Sequence, residues 1–89
     1  MKILVTGSAG FIGYHLVNGL TSNIKNTVIG IDSVNGYYST KVKKLRLKIL
    51  KRKKNFTFKK INLENTKKLG LLIKNFQPDT VFHIAGQPG

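Results

Sequence analysis

The sequence predicts an α/β fold in which helices cover both faces of a parallel sheet. Short apolar runs rich in β-branched residues alternate with segments in which apolar residues recur at spacings of three and four. The segments follow the order βαβαβαβ, and strands that alternate with helices of about 10 to 15 residues pair in parallel through right-handed crossovers. A length of 89 residues allows one small domain and excludes a two-domain enzyme.

Four apolar runs are the predicted strands. They cover residues 2–6, 27–31, 56–61 and 80–85. The second run, Thr27-Val28-Ile29-Gly30-Ile31, has no polar alternation and stops at Asp32. Such a run is typical of a parallel strand buried on both faces, so we expect helices above and below it.

Three helices are predicted between the strands, each from its apolar stripe. The first stripe comprises Phe11, Ile12, Leu16, Val17 and Leu20. The second lies on a lysine-rich helix ending near Lys53 and comprises Val42, Leu45, Ile49 and Leu50. The third lies within residues 65–76 and comprises Leu69, Leu72, Ile73 and Phe76. All three stripes are expected to face the sheet, the second as core and not as a membrane anchor.

Composition excludes several classes of protein. There is no cysteine, which excludes disulfides and thiolate metal sites. Two histidines with three acidic residues cannot easily furnish a closed zinc site, so we predict no metal. The N-terminus enters a strand directly, and no apolar run approaches the length of a signal peptide core or a membrane span. We therefore expect a cytoplasmic protein without a membrane partner.

The formal net charge of +13 raises the alternative of a module that binds nucleic acid or anionic lipid. Eleven of the 16 basic residues lie between Lys41 and Lys60, with no acidic residue among them. Lys, Asn and Ile are abundant, which indicates AT-rich codons. Such a codon bias would place lysine at surface positions that tolerate many residue types, and would explain the charge without a polyanion. Phe56 and Phe58 fall in a predicted strand, whereas binders of single strands need exposed aromatic platforms. We therefore expect no nucleic-acid partner, and filter binding at two salt concentrations distinguishes the alternatives.

A glycine-rich turn lies between the first strand and the first helix. Gly7, Gly10 and Gly13 have the spacing GxxGxxG, and Asp32 ends the second strand 19 residues after Gly13. Glycines permit a tight turn, close approach of a pyrophosphate and close helix packing, and a helix N-terminus favours phosphate. An acid at the end of the second strand suits the ribose hydroxyls and repels a 2′-phosphate. The pattern predicts a dinucleotide site that prefers NAD to NADP.

Three segments together resemble the extended short-chain dehydrogenase/reductase superfamily. They are residues 1–13, residues 28–32 and the run Val81-Phe82-His83-Ile84-Ala85-Gly86-Gln87. The loop from Asp32 to Tyr38 and the basic helix after it resemble the NAD-dependent nucleotide-sugar 4-epimerases of the UDP-glucuronate type. The resemblance spans the chain. It implies the N-terminal part of a doubly wound, Rossmann-type NAD(P)-binding domain.

The resemblance also implies the residues of the cofactor site. The pyrophosphate would lie against Gly7, Gly10, Phe11, Ile12 and Gly13. The adenosine ribose would lie against Asp32 and Asn35, the adenine against Asn62 and Leu63, and the nicotinamide half against Ala85 and Gly86. Asn62 stands where the family usually has an aspartate, so that contact would lose a charge while keeping hydrogen-bonding capacity.

In the family, a hydride leaves sugar C4 for NAD and returns to the other face, assisted by a YxxxK tyrosine. Tyr37 to Lys41 spells this motif, but in the loop at the adenosine end, so we assign no catalytic residue within the chain. Residues 1–89 are expected to be a truncated NAD-binding domain that takes a UDP-sugar only when the missing part is supplied. Full-length family members are expected to be homodimers. The alternatives are an inert truncation product and the polyanion-binding module.

Overall fold

The computed structural model describes residues 1–34 and 40–84 as seven alternating elements. The strands are β1 (Lys2–Thr6), β2 (Thr27–Asp32), β3 (Phe56–Lys60) and β4 (Thr80–His83), and the helices are α1 (Phe11–Thr21), α2 (Thr40–Leu50) and α3 (Thr66–Phe76). The predicted order βαβαβαβ is confirmed. None of the described helices has the length and apolar character needed to cross a membrane.

The four strands form one parallel sheet in the order β3-β2-β1-β4. In the central pair, Leu4 of β1 is opposite Ile29 of β2, and on its other side Leu4 is opposite Val81 of β4. The chain moves outward from β1 to β3 and then returns to pair β4 with β1. The direction of winding therefore reverses at β1, and in open parallel sheets ligands bind beside the carboxyl ends of the strands at such a point.

One face of the sheet carries the hydrophobic core. Ile3 and Val5 of β1 lie beside Val28 of β2 and Phe56 of β3, and all four are buried. Val17 of α1 and Leu50 of α2 pack onto them and are fully buried; both helices thus cover this face. The right-handed crossover rule places α3 on the opposite face, because the β3-α3-β4 connection runs in the reverse direction. Leu4 and Ile31 alternate onto that face and are 1% exposed.

The predicted stripe of α2 is wrong in three of its four positions. Leu50 is buried as expected, but Val42, Leu45 and Ile49 are 43%, 60% and 40% exposed. Leu47 is buried instead. At about 100° per residue, Leu47 and Leu50 share a side of the helix that lies well away from the other three. Leu47 and Leu50 are therefore the buried residues of α2, and the stripe of Val42, Leu45 and Ile49 faces solvent.

The other two stripes are correct only in part. In α1, Val17 is buried and Leu16 and Leu20 are half-buried, whereas Phe11 and Ile12 at the start are 65% and 61% exposed. In α3, no residue is fully buried, and Ile73 is 41% exposed. The ends of the elements also shift slightly. β3 ends at Lys60, β4 ends at His83, and α2 ends at Leu50 with turns following it.

Candidate functional site

The glycine-rich turn closes tightly against the start of α1. Gly7 has a φ of 72°, in the left-handed region that side chains disfavour. A Cβ built on Gly13 would lie 2.0 Å from the Gly7 carbonyl oxygen and 2.7 Å from its carbonyl carbon. The backbones of turn and helix therefore touch at Gly13, as the sequence predicted. The Gly10 N–H donates to the Gly7 carbonyl at 3.1 Å and completes the turn.

The N-terminus of α1 is left open by this turn. Gly10 occupies the cap position and has no side chain to cap the helix, and the first turn contains no acidic residue. The first backbone bond of the helix is donated by Tyr14 to Gly10, at 2.9 Å. By contrast, the N-terminus of α3 is capped by Asn65, whose Oδ1 accepts from the N–H of Lys68. The early N–H groups of α1, those of Phe11 and Ile12 among them, are thus available to an anion.

Asp32 joins the end of β2 to the turn. Its Oδ2 accepts the N–H of Ala9 at 3.0 Å, and its Oδ1 accepts the N–H of Val34 at 2.7 Å. The ammonium of Lys43 lies 3.4 Å from Oδ1, and the Asp32 side chain is 5% exposed. A carboxylate has about four acceptor positions. Of these three contacts, the one to Lys43 is the longest, so its displacement would release an acceptor position.

Gly30 shapes the site by allowing the glycine turn to approach the sheet, and its role was not predicted from the sequence. It lies within β2, and a Cβ there would be 2.7 Å from both Cβ and Oγ of Ser8 and 2.8 Å from Cε1 of Phe56. Only glycine at position 30 leaves room for the turn to pack this close to the sheet. Ser8, the turn residue at this contact, is completely buried. The signal was present, because a glycine inside a β-branched run often marks a close approach of another chain segment.

A cleft of about 310 Å³ opens at the carboxyl ends of β2 and β3. Its described lining residues are Ser33, Lys60, Ile61, Asn62, Asn65 and Lys68. Asn62, predicted to contact adenine, thus lies beside Ser33, which follows Asp32. Its Oδ1 accepts the N–H of Glu64 at 3.0 Å in a local turn, which leaves the NH₂ group as the part able to donate to a base. Leu63 is half-buried next to Asn62 but is not among these lining residues.

The end of β4 is tied to β1 through the Thr6 hydroxyl. Thr6 Oγ1 accepts the N–H of Ile84 at 2.9 Å and lies 2.9 Å from Nδ1 of His83. The imidazole therefore has a structural partner at the switch point between β1 and β4. Three predicted site residues, Asn35, Ala85 and Gly86, lie outside the described residues, as does the tyrosine of the YxxxK sequence at Tyr37.

The aromatic residues of the basic segment belong to the sheet. Phe56 is 6% exposed and sits in the core. Phe58 is half-buried, packs against the core, and has the Lys51 ammonium 5.3 Å from its ring centroid. Neither ring forms an open stacking platform of the kind that single-stranded nucleic acid requires. The prediction that both rings fall in a strand of the sheet is confirmed.

Comparisons with known proteins identify the family. A model of the GDP-mannose 4,6 dehydratase family matches residues 4–89. Protein CapI of Staphylococcus aureus is 48% identical over 89 residues, which are 100% of this chain and 26% of CapI. The UDP-glucuronate 4-epimerase of Thermodesulfobacterium geofontis is 36% identical over 86 residues, 97% of this chain and 26% of that protein.

A solved structure extends the similarity to three dimensions. The UDP-glucuronic acid 4-epimerase from Bacillus cereus, in complex with UDP-glucuronic acid and NAD, superposes with a TM-score of 0.87 at 39% identity. The match covers 100% of this chain and 27% of the epimerase chain. The chain thus spans about a quarter of the length of the relatives it matches. With its parallel sheet, glycine turn and acid at the end of β2, the chain belongs to the GDP-mannose 4,6 dehydratase family and corresponds to the N-terminal region of UDP-glucuronate 4-epimerase-type enzymes.

Proposed function

We propose that this chain binds NAD as the N-terminal, cofactor-binding portion of a nucleotide-sugar 4-epimerase of the UDP-glucuronate type. The observation that carries the proposal is the contact of Gly7 with Gly13, which leaves the N-terminus of α1 open at the switch point of the sheet. A helix N-terminus combined with a glycine turn suits a pyrophosphate. The matching structure from Bacillus cereus is itself an NAD complex.

The residues present fit this cofactor. A side chain at position 13 would collide with the Gly7 carbonyl, so Gly13 allows the turn to close against the start of α1. The N–H groups of Phe11 and Ile12 would hold the pyrophosphate. The Asp32 carboxylate would accept hydrogen bonds from the hydroxyls of the adenosine ribose after Lys43 moves aside. The cleft lined by Ser33 and Asn62 would receive the adenine.

The charge at Asp32 supports NAD over NADP. A 2′-phosphate on the ribose would meet this buried carboxylate.

NAD, when bound, supplies the hydride acceptor and donor for epimerisation at sugar C4. This chain's own part is to bind the adenosine and pyrophosphate and so to orient the nicotinamide half, beside Ala85 and Gly86. We further propose that residues 1–89 are one cofactor-binding unit, that a UDP-sugar binds only together with residues from the remainder of the enzyme, and that the complete enzyme is a cytoplasmic homodimer. These 89 residues by themselves would bind cofactor without epimerising a sugar.

Calorimetric titration of NAD into the full chain tests the proposal. Asp32→Asn keeps the shape of the side chain and removes its charge, and we expect affinity to fall about tenfold, the effect of losing one charge-assisted hydrogen bond. Tyr37→Phe is the control, and we expect its affinity to match the wild type. Equal affinity in Asp32→Asn and wild type would overturn the ribose assignment. Absence of NAD binding by a folded wild-type chain would overturn the proposed function.

A further inference from the structure

Arg46 links helix α2 to the glycine turn. Its Nη1 donates to the carbonyl oxygen of Ala9 at 3.1 Å, across 37 residues of sequence. Its Cζ also lies 5.8 Å from the centroid of the Phe11 ring. Ala9 is in the middle of the turn, and Phe11 is the first residue of α1. A single side chain of α2 thus contacts the two segments that form the anion cradle.

Charged side chains hold Ala9 through both of its backbone polar groups. The carboxylate of Asp32 accepts its N–H at 3.0 Å, and the guanidinium of Arg46 donates to its carbonyl. Hydrogen bonds with one charged partner are shorter and stronger than neutral ones. Ala9 is completely buried. Ala9 lies between two flexible glycines, so these two contacts restrict the backbone of the turn before a ligand binds. Ligand affinity is higher when the turn is already ordered, because less conformational entropy is lost on binding.

Arginine has a property here that lysine lacks. A planar guanidinium can donate in its own plane to a carbonyl while its face covers an aromatic ring, whereas an ammonium is a point charge. Phe11 is 65% exposed, so its ring has little core contact to hold it. The chain has only two arginines among its 16 basic residues, and one of them stands at this position.

We propose that Arg46 is a positioning residue that fixes the glycine turn and the start of α1 for the pyrophosphate of the cofactor. The inference rests on the proposed function. It assigns different roles to the two side chains: Arg46 acts on the phosphate cradle alone, whereas Asp32 holds the turn and also faces the ribose. A ligand that lacks phosphate is therefore insensitive to Arg46.

Three variants of the full chain are compared by titration with NAD, ADP and adenosine. Arg46→Met retains the length of the side chain and removes the guanidinium, and we expect it to weaken NAD and ADP about tenfold while adenosine is unchanged. Arg46→Lys restores part of the affinity, because it can donate to Ala9 but cannot cover Phe11. Arg52→Met, which removes the other arginine from an exposed turn, binds all three ligands as the wild type does.

The outcomes are distinct. An equal loss of affinity for adenosine and ADP in Arg46→Met would show a general structural effect and overturn the inference. Unchanged NAD affinity in Arg46→Met would also overturn it, while leaving the proposed function intact. Failure of the folded wild-type chain to bind NAD or ADP would overturn both. Backbone amide shifts of Gly7 and Gly10 that move in Arg46→Met but not in Arg52→Met would support the anchoring of the turn.

Discussion

Replacing Gly13 by alanine places a methyl group 2.0 Å from the Gly7 carbonyl oxygen, where ordinary contact begins at 3.4 Å. The helix and the turn must then separate by about 1.4 Å, because backbone lies on both sides of the clash. Overpacking costs about 1 to 3 kcal/mol where side chains can adjust, so we expect at least about 3 kcal/mol here. For a domain of this size, that corresponds to a fall in melting temperature of about 12 °C or more.

Gly19→Ala is the matched control on the same helix. A Cβ at position 19 meets nothing within 4 Å. Alanine is the better helix former by about 1 kcal/mol, so this variant should melt a few degrees above the wild type. Thermal unfolding followed by circular dichroism gives both values, and NAD titration should show at least a tenfold loss for Gly13→Ala alone. If Gly13→Ala matched Gly19→Ala in melting temperature and NAD affinity, the close approach of the two backbones would be refuted.

Two further predictions concern the helices. Leu50→Ala should lower the free energy of unfolding by about 2 to 5 kcal/mol, because Leu50 is fully buried in the core. Leu45→Ala should change it by less than about 0.5 kcal/mol, because Leu45 is 60% exposed. Urea unfolding in which both variants lose the same free energy would contradict the observed orientation of α2. Asn65→Ala should cost about 1 kcal/mol by removing the cap that accepts from Lys68, and an unchanged urea midpoint would show that this cap contributes nothing.

Local patterns in the sequence were sufficient to predict the order of elements and the close packing of the glycine turn. The run at β2 ends at Asp32 in the structure as in the sequence, and Gly7 and Gly13 make the contact that their spacing indicated. These features depend on residues within one strand-turn-helix unit. The backbone conformation needed there is possible for glycine and for few other residues, so composition and spacing determine it.

The features that were missed depend on contacts between distant segments. The orientation of α2 is decided by the sheet beneath it, so periodicity found an apolar stripe but not the side that is buried, and Leu47 was overlooked. The contact of Arg46 with Ala9 spans 37 residues, and no periodicity in the lysine-rich segment indicates which basic side chain reaches the glycine turn. Gly30 was visible as an interruption of strand β2, but the residue that needed the space, Ser8, lies in the glycine turn after β1.

The position of β1 in the sheet has a consequence for the course of folding. Among the described strands, β1 comes first along the sequence, yet one of its two neighbours, β4, comes last. Lys2 donates to Asp79 and Thr6 accepts from Ile84, contacts that span 77 and 78 residues. Closing such long loops slows folding, because chain entropy is lost before the contacts form. During synthesis, one edge of β1 must therefore stay unpaired until the residues of β4 have emerged.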